Sequence, residues 1–456
     1  MFNKYRAIHF VGIGGVGMSG IAEVLHNLGY EVSGSDMKGS ETVSRLRNIG
    51  LKIYIGHKGD NINGAHVVVI SSAVSQDNPE VKEAKLRHIP VIPRAEMLAE
   101  LGRLKYGILV AGAHGKTTTT SLIATIVGDG GLDPTVVIGG RLNSMGTNAK
   151  LGQGEYLVAE ADESDGSFLK LNPTIAVITN IDREHMDFFK DLEILKHAFL
   201  SFINKIPFYG IAIVCMENEY IRELIPMIQR KTLTYGLTKD ADIYARNISY
   251  SGDRMFFDVI YKGDSLGEFG ITIPGVHNVL NSLAAIAVGL ELQISVDKIR
   301  ESLKGFGGIH RRFEFKGEAS GVKIYDDYGH HPSEIQAVLK AARGCYPDRR
   351  ISVIFQPHRY TRTRDLIDQF ALSFGDADAV YLMDIYPAGE KPIEGISSEA
   401  LMKRMHDGGI SNVMHISDRQ KMFEEVAASL KNGDVIITLG AGDVYKLGEE
   451  ILGRLR

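Results

Sequence analysis

Only two cysteines occur in this 456-residue sequence, Cys215 and Cys345. They are too few and too far apart for a disulfide framework or a zinc site, so a reducing cytoplasm is the expected compartment. No window holds 18 uninterrupted apolar residues, and the chain runs straight into a strand without a signal-peptide pattern, so no membrane association is expected. No Lys/Arg tract interrupts a net charge of −5. That argues against general nucleic-acid binding, although local basic clusters can still grip phosphates. No repeat period runs through the 50 glycines, which therefore read as tight turns and phosphate-type loops. What remains, 44% apolar and 23% charged, is a globular chain too long for one core, and three domains are the natural count.

The chain is organised around Leu109 to Thr118. An apolar run feeds a Gly-x-x-Gly-Lys-Thr turn at Gly112, Ala113, His114, Gly115, Lys116, Thr117 and Thr118. Thr119 to Val127 then reads as a helix with apolar residues at Leu122, Ile123, Ile126 and Val127. Strand, glycine loop and helix make an anion site: Lys116 reaches terminal phosphates and the Thr117 hydroxyl suits Mg²⁺. Val110 stands where the usual P-loop has its first glycine, so this loop is shorter and starts at Gly112.

Upstream, Ala7 to Val11 is a short strand followed by Gly12-Ile13-Gly14-Gly15-Val16-Gly17, a helix from about Met18 to Leu28, and a strand ending at Asp36. This is the dinucleotide fingerprint, with an acid about 20 residues on. A second phosphate loop immediately downstream counts against a redox cofactor and favours a nucleotide-diphosphate substrate held by Gly14, Gly15 and Gly17, with Asp36 and Ser71 at neighbouring strand ends.

Downstream, a strand ends in Glu160-Ala161-Asp162-Glu163-Ser164-Asp165, where a hard cation wants carboxylate oxygens. Ile175 to Thr179 leads into Asn180 to Asp187, with His185 outside a strand end. From Tyr209 to Ile273 the pattern reads as a sheet edge or a small antiparallel insert. His277, Asn278 and Asn281 open an apolar helix, more polar groups than capping needs. Gly305 to Phe313 reads as a junction whose paired Arg311 and Arg312 suit phosphate clamping from a neighbouring domain. The last third alternates strands and helices, with Asp326-Asp327-Tyr328-Gly329-His330-His331-Pro332 after one strand. Arg359, Arg362 and Arg364 follow another, a spacing that suits an anionic substrate better than an exposed helix face.

Taken together, Gly112 to Thr118, Glu160 to Asp165, Asp182 to Asp187, His277-Asn278, His310 to Phe313 and Asp326 to Pro332 resemble the Mur ligase family of peptidoglycan synthesis over essentially the whole chain. The resemblance implies an α/β protein of three domains: a UDP-sugar-binding Rossmann-like domain (1–104), a central P-loop-type ATPase with a mostly parallel sheet (105–313) and a C-terminal Rossmann-like domain (314–456). It implies ATP and Mg²⁺, with UDP-N-acetylmuramate and L-alanine as substrates, and a carboxylate activated as an acyl phosphate before an amine attacks. Lys116, Arg312, Asp327 and His330 become catalytic candidates. His277, Asn278 and Asn281 become ATP contacts, and Thr117, Glu160 and His185 metal ligands, with Glu163 competing for Glu160's role. Arg359 and Arg362 would meet the muramate or the acyl phosphate. Several family members carry a carbamylated lysine about 15 residues after the metal-binding histidine; here that position is Leu200, with Lys196 nearby. A cytoplasmic monomer or homodimer is expected. The rival readings are a muropeptide-recycling tripeptide ligase, a non-catalytic nucleotide-binding regulator and a dehydrogenase.

Overall fold

The computed structural model describes residues 5–71, 73–103, 105–142, 147–184 and 186–456. It is an α/β protein of three sheets. Contacts divide the chain into two compact units. One comprises Met1–Asn247, Phe257–Phe269 and Val279–Gly307; the other comprises Ile248–Phe256, Gly270–Asn278 and Gly308–Arg456.

The first sheet contains β1 (Ala7–Val11), β2 (Glu31–Asp36), β3 (Lys52–Ile55), β4 (Val67–Ile70) and β5 (Val91–Pro93), in the order β3-β2-β1-β4-β5. All its pairs are parallel. The order reverses between β1 and β4, and ligands of open parallel sheets bind at such a switch point, outside the carboxyl ends of the strands. Gly12 to Gly17 and Ser71 lie there. The helix after the glycines spans Val16–Asn27, starting two residues earlier than the sequence pattern indicates.

A buried polar network underlies this sheet. Glu80 is fully buried and accepts from the Ser35 hydroxyl at 2.6 Å and the Asn61 amide at 2.5 Å, while His57 Nδ1 lies 3.1 Å away and His9 Nε2 3.8 Å away. Burial pushes the carboxyl up, but His9, Ser35 and Asn61 together hold it down at about 2. A buried charge persists only with such partners.

The second sheet has ten strands: β6 (Tyr106–Ala111), β7 (Thr135–Leu142), β8 (Thr147–Lys150), β9 (Tyr156–Glu160), β10 (Ile175–Ile178), β11 (Ile211–Cys215), β12 (Thr232–Gly236), β13 (Ile243–Ser251), β14 (Arg254–Tyr261) and β15 (Asp264–Ile271). Their order is β15-β14-β13-β12-β11-β10-β6-β9-β7-β8. β6 pairs in parallel with both β10 and β9. The chain leaves β6 toward β7 on one side and later returns to β10 on the other, so the β6–β10 crevice is again a switch point. The helix Lys116–Val127 follows β6 directly, and Leu122, Ile123, Ile126 and Val127 are all fully buried.

The segment Tyr209 to Ile273 departs from expectation. β11 and β12 are parallel strands continuing the main sheet. Only β13–β15 form the expected edge, and β13 still pairs in parallel with β12. Ile211–Cys215 is buried on both faces, so it lacks the alternation that marks a half-exposed strand.

The third sheet runs β16 (Glu314–Ala319), β17 (Val322–Asp327), β21 (Val435–Leu439), β18 (Ile351–Phe355), β19 (Ala379–Leu382) and β20 (Val413–His415). It is parallel except for β16. Phe355, Phe370 and Phe374 anchor the core on one of its faces. A helix spans Pro332–Cys345, directly after the Asp326–His331 cluster. No helix among the described residues is long and apolar enough to cross a membrane.

Because the Glu80 carboxyl is held at about 2, below its ordinary 4.5, its contribution is fully present above about pH 4.5 and is lost as pH falls toward 2. Replacing Glu80 by Gln sets an amide NH₂ against donors and is expected to cost on the order of 2 kcal/mol at pH 7. Urea denaturation between pH 3 and 7 checks this: the gap between wild type and variant should narrow as the solution is acidified.

Candidate functional site

The glycine loop after β6 is fastened from the neighbouring strand. Asn180, just past β10, accepts from the His114 backbone N–H with its side-chain oxygen at 2.8 Å and from the Ala113 N–H with its carbonyl at 3.2 Å; its amide donates to the His114 carbonyl at 3.0 Å. The Thr179 hydroxyl donates to the same carbonyl at 2.6 Å. A Cβ on Gly112, where φ is +139°, would stand 2.1 Å from the Thr179 hydroxyl, and one on Gly115, at φ +79°, 2.7 Å from the Asn281 side-chain oxygen. Glycine is therefore obligatory at both positions. Gly115 is the N-cap, and the helix begins at Lys116, three residues before the apolar pattern shows it. Sequence reasoning assigned Thr179 and Asn180 no role, because their partners come from a strand 65 residues away.

Lys116 donates to the Gly112 carbonyl at 2.5 Å, to the Ala113 carbonyl at 3.2 Å and to Glu163 at 2.9 Å. Burial acts to lower its pKa, but Glu163, Asp162 and Glu160 outweigh it and hold the ammonium above its usual range. The lysine is charged and aimed along its own loop. Glu163 is its partner, whereas Glu160 accepts from the Gly139 N–H at 2.6 Å. His114 Nε2 lies 3.1 Å from Asp182 and 3.9 Å from Glu184. Asn281 accepts from the Thr119 hydroxyl at 3.1 Å. Thr117 occupies the first turn beside Lys116, and Thr118 is buried. Glu160, Asp162, Glu163, Asp182 and Glu184 give this crevice oxygen donors, a set that fits Mg²⁺. His185 lies outside the described residues. Lys196 is engaged elsewhere, by Glu193 at 2.8 Å and Glu223 at 2.5 Å, so it does not replace the missing lysine at Leu200.

In the first sheet, the Gly14 N–H donates to Asp36 at 2.8 Å. Asp36 thus closes the glycine loop on itself. Gly15 N-caps the following helix, and Ser71 ends up beside Gly12 at the switch point.

The second unit carries its own polar cluster. Asp327, at the end of β17, accepts from the Phe313 N–H at 2.7 Å and the Gly329 N–H at 2.6 Å. Burial lifts its carboxyl to about 6 against the pull of Arg312 and these two amides. Glu334 accepts from the His330 and His331 backbone N–H groups at 3.0 and 3.2 Å and sits 3.6 Å from Arg312. His277 is held down at about 4, by burial first and Arg312 second. His330 is also lowered, chiefly by burial, and His358 is brought to about 4 by burial and then by His330, Arg362 and Arg359. The His330 and His358 rings lie 5.8 Å apart, His358 stacks on Tyr386, and Arg362 lies 3.2 Å from His358 Nδ1. Asn278 donates to the Pro274 carbonyl at 2.7 Å.

Two expectations require correction. Arg311 is not a phosphate clamp: its guanidinium pairs with Asp326 at 2.9 Å, donates to the Gly440 and Gly442 carbonyls, and lies between the Tyr328 and Tyr445 rings. Arg364 is on an exposed helix face, paired with Asp365 at 2.7 Å, because Tyr360–Ala371 is helical from its first residue. Arg359 is the N-cap of that helix, at φ +72°. Glu334 and His358 were not singled out from sequence, though an acid three residues after an N-cap is a capping-box signal.

Replacing Arg311 by Lys keeps the charge but loses the planar fork, and is expected to cost about 2 kcal/mol in urea unfolding. Replacing Asn180 by Ala unties the loop and should raise the KM for ATP at least tenfold, with the far-UV circular dichroism spectrum unchanged.

Comparison with known proteins agrees with this geometry. Residues 7–106 match the Mur ligase family, catalytic domain; residues 110–289 match the Mur ligase middle domain; residues 311–442 match the Mur ligase, glutamate ligase domain. Proteins named UDP-N-acetylmuramate–L-alanine ligase from Geotalea daltonii and Geobacter sp. (strain M21) are 57% and 58% identical to it, each over 100% of this chain and 99% of their own. The crystal structure of UDP-N-acetylmuramate-alanine ligase MurC from Thermotoga maritima superposes with a TM-score of 0.85 at 29% identity, covering 98% of each chain. A murein peptide ligase from Psychrobacter arcticus shares the fold, with a TM-score of 0.72 at 24% identity and the same coverage. The chain belongs to the Mur ligase family.

Proposed function

We propose that this protein is an ATP-dependent ligase that joins L-alanine to the lactyl carboxylate of UDP-N-acetylmuramate, giving UDP-N-acetylmuramoyl-L-alanine, ADP and phosphate. The observation that carries this reading is a charged lysine, Lys116, locked in a glycine loop at the switch point of the central sheet, in a chain whose 57–58% identical relatives bear that ligase name. The tripeptide-adding reading is less well supported, since the murein peptide ligase neighbour is only 24% identical.

A carboxylate resists amines until one of its oxygens becomes a leaving group, which ATP supplies by forming an acyl phosphate. Bringing two anions together requires positive charge around the transferred phosphoryl. Lys116 and Arg312 supply it in this reading. Gly112, Ala113, His114, Gly115, Thr117 and Thr118 cradle the phosphates, and His277, Asn278 and Asn281 bind the rest of ATP. Thr117 and Glu160 would hold Mg²⁺, with His185 on a second ion, and the metal would supply positive charge to neutralise the phosphates. Glu163 is the poorer candidate because it already holds Lys116.

Gly14, Gly15, Gly17, Asp36 and Ser71 bind the sugar nucleotide, and Arg359 and Arg362 bind the muramate or the acyl phosphate. Asp327 and His330 contact the nucleotide or the incoming amine. An attacking ammonium must lose a proton, and an imidazole whose pKa burial has lowered is neutral and able to accept one. The proposed bounds are 1–104, 105–313 and 314–456, in a cytoplasmic monomer or homodimer.

The test is ADP formation by the purified chain. Turnover should require both UDP-N-acetylmuramate and L-alanine and should not respond to the tripeptide; ATP splitting at the same rate without them would sink the reading. The Lys116→Ala variant should stay folded and lose nearly all activity.

A further inference from the structure

Arg94 has no part in the site described so far, yet it lies against the first glycine loop and pairs with the acidic run that follows β9. It is the first residue of the helix Arg94–Gly102, immediately after β5, and so lies at the carboxyl end of the first sheet. Its guanidinium lies over Gly17: a Cβ there would meet Nη1 at 2.7 Å and Cδ and Cζ at 3.2 Å. Nη2 donates to Asp162 at 3.1 Å. Asp162 belongs to the acidic run that includes Glu163, the partner of Lys116, and it also acts on the charge of Lys116 itself.

The position is electrostatically odd. Gly17 is in the first turn of the helix Val16–Asn27, and the positive end of a helix disfavours a cation. One carboxylate, itself 40% exposed and shared with Lys116, offsets that. A guanidinium has five N–H donors in a planar fork that matches phosphate and carboxylate oxygens. With a diphosphate on the glycine loop, the same placement becomes favourable. The two sheets also touch nearby, where the Asn148 amide donates to the Val16 carbonyl and lies 3.4 Å from the Ser19 hydroxyl, so Arg94 spans an existing junction.

We propose that Arg94 is a substrate-binding and positioning residue: it contacts the anionic part of the sugar nucleotide on the Gly12–Gly17 loop and, through Asp162, links its occupancy to the charge network around Lys116. This rests on the ligase reading above. Glycine at 17 leaves the guanidinium its place, since a Cβ there would crowd it.

The experiment measures binding of UDP-N-acetylmuramate by calorimetry to wild type, Arg94→Ala, Arg94→Lys and Asp162→Asn, with melting temperatures as a folding control, followed by steady-state kinetics. Arg94→Ala should raise the sugar nucleotide Kd at least tenfold, while the KM for ATP at saturating sugar nucleotide stays within about twofold. Arg94→Lys should fall between. Asp162→Asn should change the sugar Kd less than threefold and lower kcat. A wild-type Kd in Arg94→Ala would overturn the proposal, as would equal Kd shifts in Arg94→Ala and Asp162→Asn, the signature of a plain tie between sheets. Failure of the wild type to bind the sugar nucleotide would instead remove the ligase reading itself.

Discussion

A partly buried ammonium, that of Lys116, is the constraint on which the rest depends. Removing a cation from water is costly unless opposite charge and hydrogen-bond acceptors replace the lost hydration. Here Glu163 supplies the charge and two loop carbonyls the acceptors. Those carbonyls converge only because the loop is folded tightly, and it is folded tightly because Thr179 and Asn180 hold it from the adjacent strand. The parallel pairing of β6 with β10 is thus part of what positions Lys116, whose side chain is held along its own loop.

The second unit obeys the opposite electrostatic logic. His277, His330 and His358 are pushed toward neutrality by burial, reinforced by Arg312 at His277, by Arg362 and Arg312 at His330, and by His330, Arg362 and Arg359 at His358. Asp327 is pushed toward protonation by burial even though two backbone amides point at it. Such a site holds neutral imidazoles at pH 7 beside one acid lifted to about 6. In the first unit, by contrast, the Lys116 ammonium is held above its usual range by neighbouring carboxylates.

Adjacent arginines illustrate how local backbone decides role. Arg311 has φ +59° and Phe313 φ +44°, so the chain turns sharply around Arg312. Arg311 is drawn into the carbonyls of the β21 loop and between two tyrosine rings. Arg312 stays beside Glu334, Asp327 and Tyr328. Two identical residues in a row therefore sit in different surroundings, Arg311 among backbone carbonyls, Asp326 and two rings, Arg312 beside Glu334 and Tyr328.

Much of this was legible before any coordinates. Glycine spacing, strand ends and the acidic run located the phosphate loop, the dinucleotide-like loop and the Asp327 cluster, because each is a local feature read over a few residues. Two kinds of feature were not legible. β11, buried on both faces, shows no alternation, so the central sheet was read as ending too early. Partners distant in sequence were also hidden: Thr179 and Asn180 for the loop, Glu163 for Lys116, Asp326 and the β21 loop for Arg311, and Arg94 for Asp162. By itself the sequence determined which chemical groups exist and where the chain turns, since backbone preference and hydrophobic period are short-range properties. Only the tertiary structure decided which charges meet, because strand order brings together residues that the chain separates by 15 to 131 positions, and a buried charge takes its role from its neighbours in space.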